Sequence, residues 1–124
     1  MSEGGRVLRA VRGAITVDAD EPALVREGTV ALLHEMLHRN ALAADDLVSI
    51  LFTTTEDLSS EFPAVGAREI GLAAVPLLCA REIPVPGSMP RCIRALIHCY
   101  APEGRPIRHA YLREARQLRM DLPE

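Results

Sequence analysis

Stretches with the two-residue period of a strand alternate along this chain with stretches of helix length, and that alternation limits the fold more than any other feature. Residues 6–17 (RVLRAVRGAITV) are rich in β-branched side chains and read as a strand, with Val7, Val11 and Ile15 apolar and Arg9 and Arg12 interrupting. Asp18, Asp20 and Pro22 then supply acidic caps and a first-turn proline. The helix they start runs to about Asn40 and buries Val25, Leu32, Leu33, Met36 and Leu37. Leu47 to Phe52 is a short buried strand, residues 53–60 a polar loop and residues 62–71 a second, short helix. Residues 74–79 make a third strand and residues 92–100 (CIRALIHCY) a fourth. Between them Pro84, Pro86, Gly87 and Pro90 mark a loop, because a central element does not tolerate that much proline. After a turn at Pro102, Gly104 and Pro106, Ala110 to Leu118 reads as a last helix. The order β-α-β-α-β-β-α predicts an α+β chain, a mixed β-sheet with helices packed on one side, in a single domain over residues 1–124. Four strands do not close a barrel alone, which points to a subunit interface over the sheet's edge or face.

Composition narrows the partners. Aromatics are 3% of the chain and Trp is absent, so the core is built from Leu, Ile, Val and Ala. A net charge of −3 gives no reason to expect nucleic acid or an anionic membrane as partner. No apolar run approaches the roughly 20 residues of a membrane span. Cys79, Cys92 and Cys99 form no CxxC pair, and an odd number without a leader predicts free thiols in a cytoplasmic protein. All 14 basic residues are Arg, as codon bias in a GC-rich genome produces, and nine of them fall in residues 61–124. Arg grips small anions bidentately where Lys does not.

The loudest short motif is His34-Glu35-Met36-Leu37-His38, which matches the H-E-x-x-H of zinc proteases. Helical geometry argues against it. Leu32, Leu33, Met36 and Leu37 cluster on one side, so His34 and His38 point roughly opposite, toward solvent. A catalytic zinc also needs a third protein ligand, and nothing in the sequence brings His98 or His109 near. No metal site is expected.

Charges within strand-like runs are the better lead. Arg12 and Arg94 interrupt apolar strands and Glu82 follows one, so each needs a partner, either in an internal ion pair such as Arg94 with Glu82 or in a ligand. There is no nucleophile elbow, phosphate loop or dinucleotide fingerprint. Several Arg and one Glu without a nucleophile favour chemistry done by positioning and electrostatics.

Along most of its length the sequence resembles the AroH-class chorismate mutases. The resemblance is carried by Arg9-Ala10-Val11-Arg12-Gly13-Ala14 with Thr16-Val17, Asp57-Leu58, Phe62-Pro63-Ala64 and Ala67-Arg68-Glu69. It continues through Val75-Pro76 with Cys79 and Glu82, Cys92-Ile93-Arg94, Ile107-Arg108-His109-Ala110-Tyr111-Leu112, Leu118-Arg119 and Asp121-Leu122. It implies a pseudo-α/β-barrel homotrimer (chorismate mutase II or bacillus type) with sites at subunit interfaces. The reaction it implies is the Claisen rearrangement of chorismate to prephenate in aromatic amino acid biosynthesis, without cofactor or covalent intermediate.

By that resemblance Arg94 donates to the ether oxygen, Arg12 and Tyr111 hold a substrate carboxylate, and Glu82 accepts from the ring hydroxyl. Cys79, with the backbone of Leu77 and Leu78, lines the same side. Phe62 and Ala64 form a wall from the neighbouring subunit, Arg68 steers a carboxylate, and Leu118 and Arg119 belong to a tail that closes over the site. Two departures stand out: Val65 occupies a position where some members carry Lys, and the loop Pro84 to Arg91 is richer in proline. The competing reading is a non-catalytic or imine-deaminase-like small-molecule-binding trimer of similar architecture, which needs the carboxylate clamp but not Glu82, Arg94 and Tyr111 together.

Overall fold

A computed structural model describes residues 5–122, so residues 1–4 and 123–124 of the expected domain lie outside the described residues. In chain order come β1 (Arg6–Thr16), α1 (Pro22–Arg39), a 3-10 turn (Ala44–Asp46), β2 (Leu47–Thr54), α2 (Pro63–Glu69), β3 (Leu77–Arg81), β4 (Cys92–Pro102), β5 (Ala110–Leu112) and a 3-10 segment (Arg113–Arg119). The strands form one sheet in the order β3-β2-β4-β1-β5. The central β4 is antiparallel to β1 and β2, while the edge strands β3 and β5 are parallel to their neighbours. Both β-to-β passages through a helix therefore join parallel strands, the geometry a helical crossover allows.

The mixed sheet and its helices agree with expectation, and four details do not. There are five strands, because Ala110 to Leu112 pairs with β1 (Gly13 opposite Ala110, Ala14 opposite Tyr111) before the chain turns into a 3-10 segment. The expected terminal α-helix is absent: β1's free edge claims the first three residues, and Arg113 follows at φ 57°, where no helix continues. The third strand begins at Leu77, later than residues 74–79, since Pro76 has no N–H for the ladder and contributes only its carbonyl, which accepts from Ile50 N–H at 2.9 Å. Finally, α1 is capped by Glu21 without a side-chain hydrogen bond, with Pro22 in its first turn. Asp20 instead accepts from the backbone N–H groups of Ser59 and Ser60, each at 3.0 Å, and fixes the loop leading to α2.

Val11, Ile15, Ile50, Phe52, Ile93 and Ile97 pack from one face of the sheet against Val25, Leu32, Leu33 and Met36 of α1. A methyl group on Gly13 would lie 2.6 Å from Met36 Sδ and 3.0 Å from the Ala110 carbonyl oxygen, so glycine there lets α1 and β5 close on β1. The other face is mostly uncovered. The 3-10 segment shields one end, where Ala115, Leu118 and Leu122 pack on Ala14, Cys92 and Tyr111. Beyond it Leu8 and Tyr100 lie opposite each other and exposed, as does Leu78.

Candidate active site

Alternation along a strand puts Arg12 and Arg94 on the face away from Val11 and Ile93. The register then aligns a row across the sheet. Ala80 lies opposite Thr53, Thr53 opposite Arg94, Arg94 opposite Ala14 and Ala14 opposite Tyr111. Residues facing each other across strands share a face, so this row runs over the open side. Ala14 is covered by the 3-10 segment, and a depression opens beside it between Arg94 and Tyr111. Arg12, Leu51, Thr53, Arg94, Leu96 and Tyr111 line it, and its volume is about 200 Å³.

Glu82 reaches this row from the end of β3, where its N–H donates to the Thr54 carbonyl at 2.9 Å. Its carboxylate accepts from the Thr53 hydroxyl and lies 3.4 Å from Arg94 Nε. The Arg94–Glu82 pair weighed from the sequence therefore exists, but on the open face instead of inside the core, with 44% of the Arg94 side chain exposed. Engaging Nε leaves the terminal nitrogens of the guanidinium for another acceptor. At the row's far end lies the buried Tyr111, and Arg119 of the 3-10 segment donates from Nε and Nη2 to Asp121 at 3.1 and 2.9 Å. Two guanidinium groups, Arg12 and Arg94, thus border one shallow depression, an arrangement suited to a small anion.

The remaining residues named from the sequence are placed elsewhere. Leu77 and Cys79 pair with the core residues Ile50 and Phe52 and face the helix side, opposite Arg94. Cys79 lines a second cavity of about 350 Å³ with Leu58, Glu61, Phe62 and Arg81, and Phe62 stands 67% exposed. Leu78 faces the open side and is also exposed, Ala64 is buried in the core, and Arg68 is exposed on α2. Leu118 is partly buried against the Tyr111 cluster. One chain therefore gathers Arg12, Glu82, Arg94, Tyr111, Leu118 and Arg119 on one face, and Phe62 with Cys79 around a separate cleft at the β3 edge.

Two residues beside the site were not singled out in the sequence. Thr53 was read as the first residue of a loop, although three consecutive β-branched Thr residues favour extending β2 to Thr54. His109 precedes β5, and its Nδ1 accepts from the Arg12 backbone N–H at 2.9 Å. Burial, then Arg12 and Arg119, hold its pKa below the ordinary value. Burial likewise pushes the Cys92 thiol up to about 11, with Arg94 opposing the shift. His34 and His38 lie exposed on α1, Glu35 accepts from Arg39 Nε at 2.8 Å, and among the described residues no group of three His, Cys, Asp or Glu is arranged to hold a metal.

The family profile described as chorismate mutase type I matches residues 8–122. A chorismate mutase AroH from Thermus thermophilus is 51% identical over 119 residues, which cover 94% of this chain and 97% of the relative. Another from Bacillus subtilis (strain 168) is 35% identical over 119 residues, 94% and 93% of the two chains. A solved chorismate mutase from Clostridium thermocellum superposes with a TM-score of 0.83 at 40% identity, covering 88% of this chain and 98% of that one.

Proposed function

This chain belongs to the chorismate mutase type I family and is an isomerase that converts chorismate to prephenate in aromatic amino acid biosynthesis, and we propose how its residues do so. In the rearrangement a C–O bond breaks as a C–C bond forms within one molecule, and no proton or electron pair passes to the protein. The protein's work is to hold a flexible dianion in its compact reactive conformer and to stabilise the charge that grows on the ether oxygen. Arg94 carries the second task. Glu82, itself held by Thr53, engages the Nε edge of Arg94 and leaves its terminal N–H groups to face the depression. A donor fixed in this way costs no reorganisation when charge develops. Arg12 and Tyr111 bind a carboxylate, Leu118 and Arg119 of the 3-10 segment close over that end, and Glu82 also accepts from the substrate's ring hydroxyl.

The depression is too open on its own to exclude water. Phe62 and Cys79, in a separate cleft at the β3 edge, complete it in a homotrimer in which each site takes Arg94 from one chain and Phe62 from its neighbour. The bare apolar sheet face supports that assembly, because exposed apolar patches of this kind mark subunit contacts. Arg68, exposed on α2, would then reach the rim, while the buried Ala64 would act only by placing Phe62. No helix among the described residues is long and apolar enough to cross a membrane, and three free cysteines suit a reducing cytoplasm.

The single observation that carries this reading is the row Thr53–Arg94–Ala14–Tyr111 with Glu82 on Arg94. The test is chorismate loss followed by ultraviolet absorbance with chelator-treated protein. Conversion to prephenate is expected to continue without metal and to fall at least ~10²–10³-fold in Arg94→Ala, the size of losing one preorganised donor. An Arg94→Ala protein with unchanged kcat would refute the assignment.

A further inference from the structure

The backbone of Arg12 has a partner that the sheet itself does not supply. β5 begins only at Ala110, so the ladder along that edge of β1 starts with Gly13 opposite Ala110. One residue earlier, the Arg12 N–H would point at empty sheet edge. The His109 imidazole fills that place, its Nδ1 accepting from Arg12 N–H at 2.9 Å. The His109 backbone is anchored in turn, since its carbonyl accepts from Arg39 Nη1 of α1 at 3.0 Å. We propose that His109 is a positioning residue for Arg12, its neutral Nδ1 acting as the missing carbonyl at the end of β5 and fixing the strand from which Arg12 reaches substrate. This rests on the reading of Arg12 as a carboxylate ligand.

The role demands one protonation state. To accept at Nδ1 the ring must carry its proton on Nε2, and an imidazolium, which donates at both nitrogens, cannot serve. The surroundings select the neutral ring. Arg12 faces it from β1 and Arg119 from the 3-10 segment, and both cations oppose a further positive charge, as does its partial burial. Asp121, the acid that Arg119 contacts, is already paired to it. Acidification below the ordinary His value of about 6.5 therefore removes the acceptor and places a cation behind Arg12's backbone.

The test compares His109→Leu, which has no acceptor, with His109→Asn, whose Oδ1 occupies the position of Nδ1. With both variants folded by circular dichroism, His109→Leu is expected to raise KM for chorismate about tenfold, within the ~10²-fold that a misplaced binding group costs. His109→Asn is expected to recover most of that loss. The wild-type KM rises in mild acid, and His109→Asn lacks that limb because its amide does not titrate. Long-range proton–nitrogen NMR of the ring should show the Nε2–H tautomer. An unchanged KM in His109→Leu, an Asn variant as poor as Leu, an acid limb retained in His109→Asn, or an Nδ1–H tautomer would each overturn the proposal. Arg12→Ala, measured alongside, separates the two claims. If it raises KM and His109→Leu does not, only the positioning role fails; if Arg12→Ala leaves KM unchanged, the carboxylate role of Arg12 fails and the positioning role with it.

Discussion

The Arg94 guanidinium is useful because it is held from one side only. Glu82 engages Nε at 3.4 Å and Thr53 fixes Glu82, while Arg94 lines the depression proposed to take the substrate. Thr53→Val keeps the side chain's shape and deletes the hydroxyl. It should lower kcat by about tenfold, the worth of one hydrogen bond to a charged group, with a smaller change in KM. Equal losses in kcat and stability would instead mark Thr53 as merely structural. The cysteines respond to burial. Cys92, pushed up to about 11, stays a thiol at neutral pH, and Cys99 is shifted the same way. Both should resist iodoacetamide in the folded protein and react once denaturant is added, as peptide mapping by mass spectrometry would show. Because the folded Cys92 binds its proton more tightly than the unfolded one, its contribution to stability is lost as pH rises from the ordinary thiol range toward 11. His109 gives the opposite slope. Its folded pKa is depressed, so the unfolded chain takes up the proton first and stability falls as pH drops below the ordinary His value.

At the scale of elements, what could be read in advance followed from period and punctuation. The alternation of β1 and β4, the apolar stripe of α1 and the prolines after β3 each depend on local sequence, and the alternation also placed Arg12 and Arg94 on one face. β5 could not be read that way. Three residues show no period, and their strand exists only because β1, nearly a hundred residues earlier in the chain, offers an unpaired edge. The inward turn of Cys79 was hidden for a related reason: Pro76 delays β3, and the register against β2 decides which face each residue takes. Gly13 is where these elements meet. Gly13→Ala forces Met36 and the Ala110 carbonyl apart, and it should cost ~1–3 kcal/mol in urea unfolding, as overpacking does. A variant as stable as wild type would mean that α1 and β5 yield more readily than their packing indicates.

For the whole molecule, the sheet has one face sealed by helices and one left bare apart from the 3-10 segment at its end. A chain of 124 residues with 3% aromatics has little material for a second core, and the proposed association would supply it. The proposed trimer joins that need to catalysis, because Arg94 and Phe62 line separate cavities of one chain and would reach one substrate from different chains. Subunit complementation tests this sharing directly. Arg94→Ala lacks the donor, and Phe62→Asp sets a carboxylate where the substrate's own charges would pass; each alone should be nearly inactive. When the two are unfolded and refolded together, mixed trimers should hold sites with Arg94 from one chain and Phe62 from another, and chorismate turnover should return to a substantial fraction of wild type. A mixture as inactive as its two parents, although still trimeric by light scattering, would show that each site lies within a single chain.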